Sequence, residues 1–416
     1  MEYIEPRFRQ SELRAILVAL VLLAGLLLRQ VELVAAGAML TLLAAVSSLW
    51  ARYAVRRLEY ARSFDSPKVF WGETTYLSVS LANRKFLPLA WVQVEDEFPD
   101  RQKVELVRGQ LGYSHRPNRF ILSNLFALGW YERVTRRYPV RALYRGYHAF
   151  GPVTIRTGDP FGFFTAELVI DRLDYLTVYP RIVPLERLGI PSRELLGEIR
   201  ARHSLQRDLT RVVGVRPYAP GDSRRQIHWR ATARTGRLEV KIPEPVTAPN
   251  LLIFLDLATF EYPWQGVLPD RLELAIITAV ALANAALEDG FSVGLYANGS
   301  LPESDQLLKI APSRARGQLG IILDALARIG SFPATSLEAL LRRESRNLPW
   351  GATIVAVTSV PTEGLAAGLL RLRRLGRPVV LVVVDGRPGR SDLPGIPVYH
   401  VTGSEVWQEL QRVSLG

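Results

Sequence analysis

Two unbroken apolar stretches open the pattern of hydrophobic and polar positions. Ala15 to Leu28 is apolar throughout, and after Arg29, Gln30 and Glu32 a second stretch runs from Leu33 to Leu49, broken by Thr41, Ser47 and Ser48. Each is short of the roughly 20 residues that a helix needs to cross a bilayer, but Arg14, Arg29 and Arg52 can snorkel from the ends and lengthen the span. The pattern predicts a transmembrane helical hairpin with basic flanks over residues 1–62. Arg7, Arg9 and Arg14 precede the first run, and Arg52, Arg56, Arg57 and Arg62 follow the second. By the positive-inside rule both ends face the cytoplasm, which predicts a two-span protein of the inner or plasma membrane with cytoplasmic soluble domains. The alternatives are a cleaved signal peptide, with Arg7 and Arg9 as its basic region, or a buried core hairpin.

Beyond the hairpin the period shortens to that of strands. Thr74 to Leu81 alternates, and Ala90 to Val94, Tyr138 to Tyr144 and Val153 to Thr157 are short β-branched or aromatic runs separated by Gly and Pro. Residues 63–180 therefore predict an antiparallel β-sandwich, punctuated by turns at Trp71-Gly72-Glu73, Gly146-Tyr147 and Asp159-Pro160-Phe161-Gly162. Residues 181–249 are polar and arginine-dense, with one predicted helix from Ser192 to Arg207, and read as a connector.

From Asn250 strand and helix alternate. Leu251–Leu257, Phe291–Ala297, Thr353–Val360 and Pro378–Asp385 are continuous apolar runs, which implies strands buried on both faces. Pro269–Glu288, Ala315–Ile329, Ser336–Arg346, Glu363–Leu375 and Ser404–Val413 read as helices. Residues 250–416 thus predict a doubly wound α/β sheet.

Composition changes this picture little. The formal charge of +12 is almost wholly arginine, the lysines being Lys68, Lys85, Lys103, Lys241 and Lys309. A basic cytoplasmic surface is drawn to anionic headgroups, whereas no zinc spacing, aromatic RNA-binding signature or helix-turn-helix supports nucleic acid as a partner. Without cysteine the chain has no disulfide, thiolate ligand or thiol nucleophile.

Two places concentrate chemistry. Pro220 to Arg230 packs a turn, Asp222, Arg224, Arg225, His228, Trp229 and Arg230 together. Arginine forks suit carboxylate or phosphate, so the segment reads either as a docking surface or as a clasp, with Trp229 filling the seam between sandwich and α/β domain. The clasp is the expectation here, and His228 as a catalytic base is not. The second place is Asp256, at the carboxyl end of the first α/β strand, where such sheets bind ligands. Asp385 ends the last predicted strand, with nothing beside it to complete a site. No Walker loop, G-x-G-x-x-G, G-x-S-x-G or H-E-x-x-H is present, and His115, His148, His203, His228 and His400 lack ligand spacing.

Gly72-Glu73 with Asn83, Arg145-Gly146-Tyr147 to Gly151-Pro152, Asp159-Pro160-Phe161-Gly162, Val178-Tyr179-Pro180 and Tyr218 to Trp229 together resemble the domain of unknown function 58 family. The resemblance implies paired membrane helices, a β-sandwich and a carboxyl-terminal domain similar to von Willebrand factor A. It also implies a partner, a MoxR-type AAA+ ATPase. The von Willebrand A metal site, where present, uses Asp-x-Ser-x-Ser, a threonine and a late aspartate. Asp256 and Thr335 match that pattern here, while Ala258, Phe260 and Ser359 stand at the other three positions. The resemblance therefore implies a degenerate site with no cofactor, Mg²⁺ being the alternative.

These readings converge on a non-enzymatic, membrane-anchored scaffold that binds protein through Asp256, Thr335 and Ser359, with Asp222, Arg224, Arg225, His228 and Trp229 beside them. The rivals are a hydrolase or transferase with an unrecognised site, and an organiser of anionic lipid or the cell envelope. No small-molecule ligand is indicated.

Overall fold

The computed structural model describes residues 30–109, 111–161, 164–205, 208–220, 222–244, 249–302, 304, 306–349, 351–385 and 393–401, together with Leu23, Leu27 and Leu28. The chain divides into two compact units, Met1–Tyr179 and Pro180–Gly416.

In the first unit the second apolar run forms helix α1 (Val31–Ala54), whose 24 residues would extend about 36 Å at the usual rise. It is long and apolar enough to cross a membrane. Val31, Met39, Leu42 and Leu49 on it are exposed, and burial is concentrated at its carboxyl end, where Ala51 and Ala54 are covered. The first predicted run, Ala15 to Leu28, lies outside the described residues apart from Leu23, Leu27 and Leu28, and so does the hairpin it would complete.

Twelve strands follow: β1 (Leu58–Phe64), β2 (Lys68–Phe70), β3 (Thr74–Asn83), β4 (Leu89–Phe98), β5 (Val104–Leu106), β6 (Leu111–Tyr113), β7 (Phe120–Leu128), β8 (Arg133–Ala142), β9 (Gly146–Phe150), β10 (Val153–Gly158), β11 (Thr165–Ile170) and β12 (Asp174–Tyr179). They build sheets in the orders β1-β3-β8-β5 and β11-β10-β4-β7-β6, with a small third sheet β2-β12-β9. In the two larger sheets every pairing is antiparallel. The alternation of β3 and β7 sends one set of side chains inward. Leu58, Leu81, Val92, Phe126 and Ile155 pack in one cluster and Leu77, Phe98, Val140, Phe150 and Leu176 in another, each drawing on both large sheets.

Lys85 joins α1 to this unit. Its buried ammonium donates to the Ala54 carbonyl at 2.8 Å, satisfying a helix-end acceptor. Burial pushes its pKa down to about 8 from 10.5. A lysine depressed on folding binds its proton more tightly when unfolded, so stability rises with pH between those two values. Unfolding midpoints of the parent measured across that interval should climb, and the climb should vanish in Lys85→Met.

The second unit begins with the segment read as a connector, which is more folded than its polarity predicts. Leu185–Leu188 forms a 3-10 turn with both leucines buried, and α2 (Ser192–Leu205) follows where a helix is predicted. Strands β13 (Asp208–Pro217) and β14 (Glu239–Glu244) pair antiparallel as a two-stranded ribbon, with α3 (Trp229–Thr235) between them.

The α/β part comprises β15 (Asn250–Leu255), α4 (Pro269–Glu288), β16 (Ser292–Ser300), β17 (Leu307–Ser313), α5 (Gln318–Arg328), α6 (Leu337–Glu344), β18 (Thr353–Thr358), α7 (Glu363–Arg374), β19 (Val379–Val384) and β20 (Val398–Val401). The sheet order is β17-β16-β15-β18-β19-β20, parallel except for β17 at one edge. Leu252, Phe254, Ile354 and Leu381 pack under α6 and α7. Alternate residues such as Leu251, Ile253 and Leu255 are equally buried, and α4 packs on the same strands. The turn at Leu185–Leu188 also touches α4, which accounts for a helix buried nearly all round. The predicted helix Ser404–Val413 lies outside the described residues.

Candidate functional site

The sheet order reverses direction at β15. From there the chain moves outward through β16 to β17, whereas from β18 it moves the other way through β19 to β20. Diverging connections open a crevice between the carboxyl ends of β15 and β18, the place where open α/β sheets bind ligands. Asp256 follows β15 directly, and Thr358 closes β18.

The Asp256 carboxylate is buried, and each of its oxygens accepts a hydrogen bond. Its Oδ1 accepts from the Ala258 amide at 3.0 Å and from Asn298 Nδ2 at 2.7 Å, while Oδ2 accepts from the Thr358 hydroxyl at 2.8 Å. Asn298, on β16, holds the pieces together. Its Nδ2 also donates to the Thr335 carbonyl at 3.0 Å, and its Oδ1 accepts from the Leu257 amide at 2.9 Å. Desolvation pushes the Asp256 pKa up, opposed by the three hydrogen bonds it accepts.

Above this network lies a cleft of about 230 Å³, walled by Phe260, Val267, Pro333, Leu337, Val360 and Leu365. Thr259 sits at its base, its hydroxyl accepting from the Leu268 amide at 2.9 Å and pinning the loop that follows β15. Tyr262 and Trp264 on that loop stack with ring centroids 4.5 Å apart, and both are exposed, as is Phe332 before Pro333. Glu261 and Glu338 also border the cleft. Asp385, at the end of β19, is paired with Arg271 of α4 at 2.7 Å.

Asp256 and Thr335 thus meet through Asn298, with Thr335 contributing its backbone carbonyl to the contact. Ser359 is buried beside them, but its hydroxyl has no hydrogen-bond partner, and the neighbouring Thr358 is the residue that reaches Asp256. Asn298 and Thr358 escaped the sequence reading. A lone amide within the apolar run of β16 was the available signal, because a buried amide demands partners.

The donor set does not fit Mg²⁺, which takes an octahedron of hard oxygens. Both Asp256 oxygens already accept hydrogen bonds, and Ala258 and Phe260 offer no side-chain oxygen. Among the described residues no group of three or more His, Cys, Asp or Glu is placed to hold a metal.

The second predicted cluster lies on the ribbon and its helix. Asp222 bonds to Arg216 through both carboxylate oxygens, at 2.7 and 2.6 Å, and accepts from the Ala219 amide at 2.9 Å. The Arg216 guanidinium holds the Asp222 carboxyl below the usual carboxylate range. Arg224 and Arg225 are exposed in a 3-10 turn, and His228 caps α3 by accepting from the Ala231 amide through Nδ1 at 3.0 Å. Trp229 is 67% exposed. The contacts of Asp222 close a turn within its own segment. No described hydrogen bond or ion pair joins this cluster to Asp256. Because the Arg216 pair is solvent-exposed, Asp222→Ala should leave the melting temperature almost unchanged, as differential scanning fluorimetry of the parent and variant will show.

Residues 214–407 match the family described as "Protein of unknown function DUF58". The match begins within β13 and runs through the α/β sheet. The "Uncharacterized protein YeaD" of Bacillus subtilis is 24% identical over 273 residues, covering 63% of this chain and 63% of its own length. A cohesin module from Clostridium perfringens gives a TM-score of 0.22 at 8% identity, over 29% of this chain and 96% of that one. The CARDB domain of a Pyrococcus furiosus protein gives 0.19 at 8% identity, over 29% and 91%.

Proposed function

We propose that this chain is a membrane-anchored scaffold that binds a protein partner in the cleft at the ends of β15 and β18, and does no chemistry there. The single observation behind this reading is the state of Asp256. A carboxylate with both oxygens already accepting, under an apolar cleft whose bordering loops carry exposed aromatics, is suited to shape a binding surface and poorly placed to serve as base, nucleophile or metal ligand. Interface anchors are enriched in aromatic residues seated in or around such pockets.

The finer parts of the reading have their own support. The strand order with one antiparallel edge, together with Asp256 and Thr335 at the switch point, favours the von Willebrand A-like assignment. The exposed apolar length of α1 favours anchoring, with the basic residues after it on the cytoplasmic side and the preceding apolar run as a second span. The family resemblance favours a MoxR-type AAA+ ATPase as the partner. Cleft and partner are tested together by isolating the full chain from its native membranes, with the parent compared against Phe260→Ser. Recovery of the ATPase should fall several-fold in the variant while α1 still retains it in the membrane, and equal recovery would reject the cleft as the interface.

A further inference from the structure

A second surface, on the first unit, is built from two neighbouring turns of the sandwich, the first tied to the carboxyl end of α1 and the second tied to the first. The turn after β3 is bonded there twice: Lys85 Nζ donates to the carbonyl of Ala54, the last residue of α1, at 2.8 Å, and the Arg84 amide donates to the carbonyl of Arg57, three residues further on, at 2.9 Å. The turn after β7 is bonded to the first turn, through the Tyr131 amide to the Lys85 carbonyl at 3.2 Å and through Asn83 Nδ2 to the Gly129 carbonyl at 2.7 Å. Both turns therefore sit at the depth of the helix terminus.

What they display there is unusual for a water-facing turn. Phe86 is 67% exposed, Trp130 59% and Tyr131 66%, and the rings of Phe86 and Trp130 lie 4.5 Å apart. Tyr53, on the last turn of α1, is also exposed, with the Arg56 guanidinium 4.8 Å from its ring centroid. Arg57 and Arg84 are exposed beside them. Tryptophan and tyrosine favour the headgroup layer, where an apolar ring and a polar edge are both accommodated, and arginine there meets lipid phosphate.

We infer that Phe86, Trp130 and Tyr131 bed into the headgroup layer of an anionic bilayer, so that the sandwich lies on the membrane by its own turns as well as hanging from α1. The inference rests on α1 spanning the membrane, which fixes the depth of its carboxyl end. The arginines set the choice of anionic lipid, and the aromatic cluster supplies the apolar contact that charge alone would not.

The chain contains no cysteine, so single-cysteine variants carry a spin label without background. Full-length protein reconstituted in phosphatidylcholine and phosphatidylglycerol vesicles is labelled in turn at Phe86→Cys, Trp130→Cys, Leu42→Cys and Tyr113→Cys. Leu42 is an exposed position within α1. Tyr113 is an exposed aromatic on β6, opposite Phe120 and so at the other end of β7, roughly 27 Å from the Trp130 turn. The ratio of oxygen to nickel-chelate collision rates should be several-fold higher at residues 86 and 130 than at 113, and highest at 42. A high ratio at 42 with values at 86 and 130 equal to that at 113 would overturn the docking surface and leave the span standing. A water-like ratio at 42 as well would overturn both.

Discussion

Arg62→Ala should destabilise the sandwich by about 3–5 kcal/mol at neutral pH, the usual result of removing one partner from a buried ion pair. Arg62 and Asp96 are both buried in the first unit and form a direct salt bridge. The guanidinium also donates to the Phe150 carbonyl at 2.7 Å and to Asp174 at 3.0 Å, so one side chain ties β1, β4, β9 and β12 together. Tyr60 donates to the other Asp96 oxygen at 2.6 Å. Without Arg62, Asp96 would remain buried with the Tyr60 hydroxyl as its remaining side-chain donor.

The cost should depend on pH with a definite sign. Desolvation lifts the Asp96 pKa from 3.8 to about 6, against the attraction of Arg62 and the bonds from Tyr60 and Arg62, which lower it. Losing Arg62 drives the pKa higher still. The folded variant then keeps its proton where the unfolded chain has released it, so the deficit is largest above the folded pKa and shrinks as acidification neutralises the carboxyl. Urea denaturation of parent and variant at pH 7.5 and pH 5 would show this; an equal deficit at both would mean that the pair is not buried as described.

Asp256→Ala should be the second large effect, about 2–5 kcal/mol, because the Ala258 amide, the Asn298 amide and the Thr358 hydroxyl would all lose the acceptor that satisfies them. Asp256→Asn should cost less, since the amide oxygen still accepts and the Thr358 hydroxyl can turn to accept from the new amide nitrogen. The folded pKa of Asp256 is raised by burial, so the native state holds its proton more tightly than the unfolded chain. Stability therefore falls as pH rises from the unfolded carboxylate pKa through the folded one, and Asp256→Asn should flatten that decline. Thermal midpoints of the three proteins across acidic pH separate a structural carboxylate from a dispensable one. If Asp256→Ala unfolds like the parent, the network does not hold the switch point.

The α/β sheet was legible in the sequence because its central strands are buried on both faces and leave continuous runs such as Thr353–Thr358 and Val379–Val384. Its edges were not. β17 carries Lys309 and Pro312, composition tolerated at an edge with one open side, and β20 is four residues long. The ribbon of β13 and β14 lies in the polar, arginine-dense stretch that reads as a connector. Asp256 was found by its place at a strand end, but its true neighbours, Asn298 and Thr358, come from strands whose adjacency only the sheet order reveals. Motif matching pointed at Ser359, one residue beyond the group that makes the contact. Buried ion pairing in the sandwich left no signal at all, since Arg62 sits among the basic residues that follow α1 and reads as one more of them.

The most direct test of the cleft as a protein-binding site is photo-cross-linking in native membranes from a benzophenone amino acid at Trp264, on the exposed rim, against the same probe at Leu375, exposed at the far end of α7. A specific adduct with a AAA+ ATPase should form from residue 264, be abolished by Phe260→Ser and be absent from residue 375. Equal adducts from both positions, or no protein adduct from residue 264, would contradict it.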